Sequence, residues 1–364
     1  IFGHSMAVLG RSFELSGGPY LYVASALGEF WGFQVGWFFA LARLTALGAV
    51  TNVFVAYLER FVPACSGGWG RAAAIVISLG LLAAINVAGI RDTALAMNLF
   101  AVGKILPLLL FILAGAFFAD WRRLAIPAPP EPATFGHAVL LLIFAFGGFE
   151  FLTVPAEESK RPTEHVPFAL LASIGCCSLL YLGVQAVALA TAPELAQHHD
   201  ALAYAAERWA GAAGAITMAA GAAVSTTGTN LANLLVTSRL LYAFSRDRLM
   251  PPWLGALHPR RRTPARAIVL LFALGATLAV TGTFAHLVAL SAAARLVTYG
   301  ASCASVFRLR WTARRVRPLV LPAAGALLSV VLIVMLPPRD LLLAAAAPLA
   351  GAAVYLAMKA RYAA

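Results

Sequence analysis

Ten long apolar stretches run through the 364-residue chain and limit the folds that it can adopt. A helix needs roughly 20 apolar residues to cross the hydrocarbon core of a bilayer, where its backbone polar groups have to be satisfied within the segment. The stretches cover residues 31–57, 72–90, 94–118, 137–155, 168–192, 212–243, 266–283, 285–306, 319–336 and 341–358. The sequence therefore predicts an all-α, polytopic membrane protein whose residues 1–364 form a single transmembrane domain.

The composition excludes the other common classes of protein. Apolar residues make up 61% of the chain and charged residues only 12%, against about 25% charged residues in soluble domains. A soluble domain, a disordered region and a small disulfide scaffold are therefore excluded. The four cysteines have no metal-ligand spacing, and the seven histidines are scattered. We expect neither a metal site nor a cofactor.

Lysine and arginine are distributed unevenly between alternate loops. Cytoplasmic loops retain these residues, and the loops on one side hold most of them, including residues 260–262. The opposite loops hold only Arg60, Arg71, Arg122, Arg123, Arg208 and Arg339. This bias places both ends of the ten crossings, and so the C-terminus, on the cytosolic side of the membrane. It also accounts for the net charge of +12 without a nucleic-acid-binding surface.

Three shorter segments are expected to differ from full crossings. Residues 1–10 resemble the last turns of an earlier helix, and because the chain begins with Ile1 we expect the native N-terminus to be missing. Residues 11–30 form a cytoplasmic loop in which 20–30 is an amphipathic helix at the membrane interface. Residues 193–210 are polar enough for an external helix.

Four ionisable residues lie well inside predicted crossings, where charge is costly and usually functional. They are Arg43, Lys104, Glu150 and Arg295. Lys104 lies about 15 Å along its helix, so its amine has to face protein or water. A buried lysine can lose its proton near neutral pH, which suits a transport cycle, although a structural amine bound to carbonyls is the alternative.

The two arginines cannot be deprotonated, so each needs a carboxylate, carbonyl or water partner. We expect Glu150 to pair closely with at most one of them. At least one of Arg43 and Arg295 is then expected to line a hydrated path, where carbonyls and water satisfy it. The alternative is that both arginines tie helices together.

The crossing at 137–155 contains two adjacent glycines, Gly147 and Gly148, which favour an unwound turn. Helices broken at mid-membrane expose carbonyl groups that bind small charged substrates, although a packing notch for a neighbouring helix is equally compatible. In the crossing at 212–243, Ser225 and Thr226 either bond across helices or line a cation or proton site opposite Lys104.

Four stretches resemble, in order and spacing, a bacterial amino acid permease of the amino acid/polyamine/organocation superfamily. They are SGGPYLYVASALGEFWGFQVGW (16–37), INVAGIRDTALAMNLFAVGKILPLLLF (85–111), FAFGGFEFLTVPAEESKRPTEHVPFALL (144–171) and SRLLYAFSRDRLMPPW (238–253). They are similar to the loop after the family's second helix, the start of its fifth, its broken sixth and the end of its eighth helix.

The resemblance implies the leucine-transporter fold, in which two inverted five-helix repeats enclose a site at the membrane midplane. Residues 31–118 would be the rest of the first repeat, 137–306 the second repeat and 319–358 two C-terminal helices. The family's first helix is not in this sequence. The implied function is proton-coupled, secondary active transport of amino acids across the bacterial inner membrane, with the amino acid, the proton and the lipid bilayer as partners.

The resemblance also assigns roles around the double glycine. The implied substrate-binding residues are Phe144, Ala145, Phe146, Gly147, Gly148 and Phe149. Carbonyls of the first three would receive the substrate ammonium, the glycines would permit the break, and Phe146 or Phe149 would act as an aromatic gate. Lys104 would occupy the place where sodium-coupled relatives bind a cation, facing Ser225 and Thr226.

Three alternatives accompany this interpretation. The protein could exchange amino acids rather than accumulate them, or it could be a truncated remnant that does not transport. An integral membrane enzyme is the rival from another class, but the sequence contains no HExxH, GxSxG or paired-cysteine motif. We therefore expect no enzymatic activity.

Overall fold

The computed structural model describes residues 1–11, 17–125, 129–154, 161–198, 200–312, 319–336 and 338–363. Within these ranges the chain is helical and contains no strand. The α-helices are α1 (Phe2–Gly10), α2 (Pro19–Leu27), α3 (Glu29–Leu58), α4 (Gly68–Ala88), α5 (Ile90–Gly115), α6 (Pro132–Ala145), α7 (Pro162–Thr191), α8 (Ala201–Arg246), α9 (Ala265–Thr281), α10 (Phe284–Thr312), α11 (Val320–Val334) and α12 (Pro338–Ala363).

The ten predicted apolar stretches correspond in order to α3 to α12, and the stretch at 137–155 continues beyond the end of α6 into a 3-10 helix at Phe149–Thr153. Among the described residues, α3, α4, α7 and residues 284–309 of α10 are long and apolar enough to cross a membrane. Four shorter apolar helical segments lie in α5, α6, α9 and α11. These helices give the all-helical bundle that the sequence predicts.

Helices α3 and α10 form the centre of the bundle. Two thirds of the most apolar segment of each is buried, against 17% for α7. The two helices are joined by a buried hydrogen bond, in which the Ser291 hydroxyl donates to the Ala42 carbonyl over 2.7 Å. The main apolar core, which includes Leu47, Leu79 and Phe244, packs around α3, α4 and α8. Side chains on α3 and α10 are therefore shielded by protein.

The predicted cytoplasmic loop at 11–30 is described in part. Helix α2 begins at Pro19, one residue before the predicted interfacial segment at 20–30, and its Tyr20 and Tyr22 are buried against the bundle. Residues 12–16 of the predicted cytoplasmic loop lie outside the described residues, as do 155–160 of the stretch that follows the predicted break.

The predicted external helix at 193–210 is divided. A short 3-10 helix spans Leu195–Gln197, and 201–210 are the first turns of α8, which bends at Gly211. Arg60, just after α3, bonds to Asp200 and Glu207 at 2.5 Å each. The hydrogen bonds to Glu207 and Asp200 raise the pKa of Arg60. This charged contact joins the end of α3 to the start of α8.

Candidate functional site

Helix α6 ends at Ala145, where the double glycine predicts a break. The Phe146 and Gly147 amides close the last turn by donating to the Leu142 and Phe144 carbonyls. Gly148 then adopts a φ of +128°, which side-chain-bearing residues rarely adopt. A short 3-10 helix, Phe149–Thr153, follows the turn. The backbone direction therefore changes between two helical segments.

Gly147 is a glycine for a different reason. A Cβ at this position would lie 1.7 Å from Nη1 and 2.1 Å from Cζ of Arg295 on α10. The guanidinium therefore rests directly on the Gly147 backbone. The packing-notch interpretation of the glycine pair is correct to this extent, but a charged side chain fills the notch.

Arg295 reaches the break through that notch. Its Nη1 donates to the Phe144 carbonyl over 2.7 Å and approaches the Ile143 carbonyl at 3.4 Å. Its Cζ lies 5.1 Å from the centroid of the Phe144 ring, and the residue is only 3% exposed. The Phe144 carbonyl, which the resemblance assigns to binding a substrate ammonium, is thus already bound by the Arg295 guanidinium.

A second carbonyl of the break is also partnered. The Tyr181 hydroxyl on α7 donates to the Ala145 carbonyl over 3.1 Å, and its ring lies 5.1 Å from that of Phe146 in an edge-on arrangement. Within the described part of the chain, no donor reaches the Phe146 carbonyl. Of the three carbonyls expected to bind the ammonium, this one is unoccupied by the described residues.

Glu150 pairs with Arg43 rather than with Arg295. Arg43 on α3 donates to the Glu150 carboxylate in a fully buried ion pair, with side chains 1% and 0% exposed. The other carboxylate oxygen accepts the Gly148 amide over 2.9 Å. The Arg43 guanidinium also lies 4.8 Å from the Phe151 ring centroid. The single close partner of Glu150 is thus Arg43. The charges of Arg43, Glu150 and Arg295 together sum to +1.

Lys104 lies on an exposed part of α5. Its helix packs against α8 near Gly103, whose Cβ would lie 2.9 Å from Val224. Lys104 forms no hydrogen bond or ion pair with the side chains that the structure describes, and the Thr226 hydroxyl instead donates to Ala222 of its own helix over 2.8 Å. The expected approach of Lys104 to Ser225 and Thr226 is therefore not a direct bond in this structure.

Comparison with known proteins identifies the family. A model of an amino acid permease family, described as "Amino acid permease", matches residues 1–356. The chain belongs to this family. The permease is 32% identical to an uncharacterized transporter of Mycobacterium tuberculosis, over 96% of this chain and 79% of the relative. It is 29% identical to a branched-chain amino acid permease of Bacillus subtilis, over 83% of this chain and 68% of the relative.

A serine/threonine exchanger of Bacillus subtilis is 27% identical, over 75% of this chain and 63% of the relative. These relatives and the apolar helices identify a multi-pass membrane protein of the amino acid permease type, a transporter and not an enzyme. The family resemblance of the four sequence stretches is thereby confirmed.

Two aromatic residues at the break of the permease were not predicted from the sequence. Tyr181 contacts the break from α7, and the Tyr299 ring lies 5.4 Å from that of Phe149. Tyr299 follows Arg295 by four residues, so helical spacing places both on one face of α10. That spacing is a signal for Tyr299. No comparable signal marks Tyr181.

We predict that Gly147→Ala destabilises the permease by about 1–3 kcal/mol, the usual cost of forcing an extra group into a packed site. The new methyl group would push Arg295 away from the Phe144 carbonyl. Thermal unfolding of the purified protein in detergent measures the effect. Gly175→Ala on α7 is the control, because a Cβ there meets open space. Equal stability of the two variants would contradict the prediction.

We also predict that Glu150→Gln and Arg43→Gln each cost about 3–5 kcal/mol, because each leaves a buried charge unpaired. The double variant should lose clearly less stability than the two single variants lose together, and a double-mutant cycle of unfolding measurements detects this difference. Arg71→Gln, which removes the partly exposed pair with Glu59, should cost under about 1 kcal/mol. Strictly additive losses for Arg43 and Glu150 would show that the pair is not coupled.

Proposed function

We propose that this permease is a proton-coupled secondary active transporter that imports amino acids across the bacterial inner membrane, with its C-terminus in the cytosol. The observation that carries the proposal is the break in α6 at 146–148, where backbone carbonyls meet buried charges from α3 and α10. Transporters use such broken helices to bind small charged substrates, and alternating access moves one group of helices against the other.

The substrate site is formed by Phe144, Ala145, Phe146, Gly147, Gly148 and Phe149. The Phe146 carbonyl is available to a substrate ammonium, whereas those of Phe144 and Ala145 become available when Arg295 and Tyr181 move away. The ring of Phe146 or Phe149 closes over the substrate as the gate. Arg43, Glu150 and Arg295 hold the geometry of the break behind this surface.

Lys104 is the proposed proton-coupling group, with Ser225 and Thr226 on the neighbouring helix. Its amine has no ion-pair or hydrogen-bond partner among the described residues. Exchange of amino acids is the second candidate function, favoured by the similarity to the serine/threonine exchanger.

We expect Lys104→Ala to abolish proton-driven accumulation of amino acids in proteoliposomes and to leave exchange between labelled and unlabelled substrate intact. The reason is that exchange requires substrate binding but no net proton movement. Lys359→Ala is the matched control, since that lysine pairs with Glu29 at the end of α12. Accumulation by Lys104→Ala at the wild-type level, with an unchanged pH profile, would exclude the coupling role.

The charges at the break also favour a class of substrate, and we propose that cationic amino acids are excluded. Arg43, Glu150 and Arg295 leave one net positive charge in a buried site. A lysine or arginine side chain would meet that charge with little solvent to screen it. Neutral and acidic amino acids avoid this repulsion.

Arg295→Gln should raise the ratio of lysine to leucine uptake by at least about tenfold, because juxtaposed like charges cost several kcal/mol and 1.4 kcal/mol is tenfold. Parallel uptake assays with the two labelled amino acids measure the ratio. Arg71→Gln, which removes an arginine remote from the break, should leave it unchanged. Equal uptake of lysine and leucine by the wild type would contradict the exclusion, whereas uptake of neither would contradict amino acid transport itself.

A further inference from the structure

A cavity of about 750 Å³ lies where the end of α4 meets the loop before α9. Its volume is in the range of ligand pockets, roughly 300–1,000 Å³. Six of its lining residues are apolar or glycine and three are basic. They are Gly80, Ala83, Ala84, Val87, Val269, Phe272, His258, Arg260 and Arg261. None of them belongs to the substrate site proposed above.

The basic residues stand on a loop that hydrogen bonds hold against α4. The His258 amide donates to the Thr263 carbonyl over 2.8 Å, and the Arg262 amide donates to the His258 carbonyl over 2.9 Å. The Thr263 hydroxyl donates to the Val87 carbonyl of α4 over 3.0 Å. These bonds hold the loop that carries Arg260 and Arg261 beside the cavity.

The two cavity arginines lack an anion. Arg260 and Arg261 are exposed, and no carboxylate in the described part of the chain pairs with either. Two adjacent guanidinium groups without a counter-charge favour an anionic ligand, and a phosphate group suits their donor geometry.

The remainder of the cavity is apolar and extends along the helices. Gly80 lies eight residues before the end of α4, which is about 12 Å along the helix axis. Val269 on α9 is 56% exposed although it lies one turn into an apolar helix. A soluble anion would leave these walls uncovered, whereas acyl chains would cover them.

We propose that this cavity binds an anionic phospholipid, with its phosphate against Arg260 and Arg261 and its acyl chains along α4 and α9. The arginines lie in the arginine-rich loop set, on the side where the charge bias places the cytosol. Basic pockets between membrane helices on that side attract anionic headgroups. The ligand is a lipid rather than free phosphate because the charged rim and the apolar wall form one continuous cavity.

Native mass spectrometry of the purified permease tests the proposal with phosphatidylglycerol, phosphatidylcholine and inorganic phosphate as probes. Wild type should retain phosphatidylglycerol in preference to phosphatidylcholine. The double variant Arg260→Gln/Arg261→Gln should lose affinity for phosphatidylglycerol by about 20- to 30-fold. Arg262→Gln is the control for loop charge, because it removes one positive charge from the same loop but outside the cavity lining.

Gly80→Leu tests the apolar wall. A Cβ at Gly80 would meet the Phe272 ring at 3.6 Å, which is ordinary contact, so a larger side chain extends into the cavity without a backbone clash. This variant should weaken phosphatidylglycerol retention by at least about tenfold while its thermal stability stays at the wild-type level. Gly80→Leu leaves the loop that carries Arg260 and Arg261 unchanged.

Three results would overturn the proposal. They are equal retention of both lipids by wild type, an equal loss in Arg262→Gln and in the double variant, and displacement of phosphatidylglycerol by inorganic phosphate at equal concentration. The last would identify a soluble-anion site. Transport activity is not part of the readout, so failure here leaves amino acid transport untouched.

Discussion

The buried ion pair between Arg43 and Glu150 is the interaction on which the arrangement of the break depends. It joins the central helix α3 to the short helix after the break, and Arg295 joins α10 to the end of α6. Removing these charges from water is costly, and only close partners and added hydrogen bonds offset that cost. The Gly148 amide and the Phe144 carbonyl supply them. The unwound turn is therefore held by charges from two neighbouring helices.

Side chains of the protein itself bind backbone carbonyls of the break. An unwound turn in a membrane leaves acceptors that need donors, and here Arg295 and Tyr181 satisfy two of them. An ammonium group that binds the Phe144 carbonyl has to replace a guanidinium of α10. Under the proposed function, substrate binding would then alter the contact between α6 and α10.

The sequence predicted the helices and the break better than the side-chain contacts. Long apolar stretches have few alternatives to helices in a bilayer, and two glycines in one of them favour unwinding. The partner of Glu150 could not be chosen in advance, because Arg43 and Arg295 carry the same charge at similar depth. The direction of Lys104 and the approach of Tyr181 depend on how whole helices rotate against each other, which apolar periodicity leaves open.

Apolar periodicity determines the rotation of α3 about its own axis less than that of the other helices. The buried charge of Arg43 fixes this rotation instead. A helix that is apolar on all sides can turn about its axis with little change in the area it buries. Arg43 removes this freedom, because a buried guanidinium away from Glu150 would be unpaired. The preceding residue supports the same rotation, since the Ala42 carbonyl accepts the Ser291 hydroxyl. The ion pair therefore contributes to specificity of packing, even where its net contribution to stability is small.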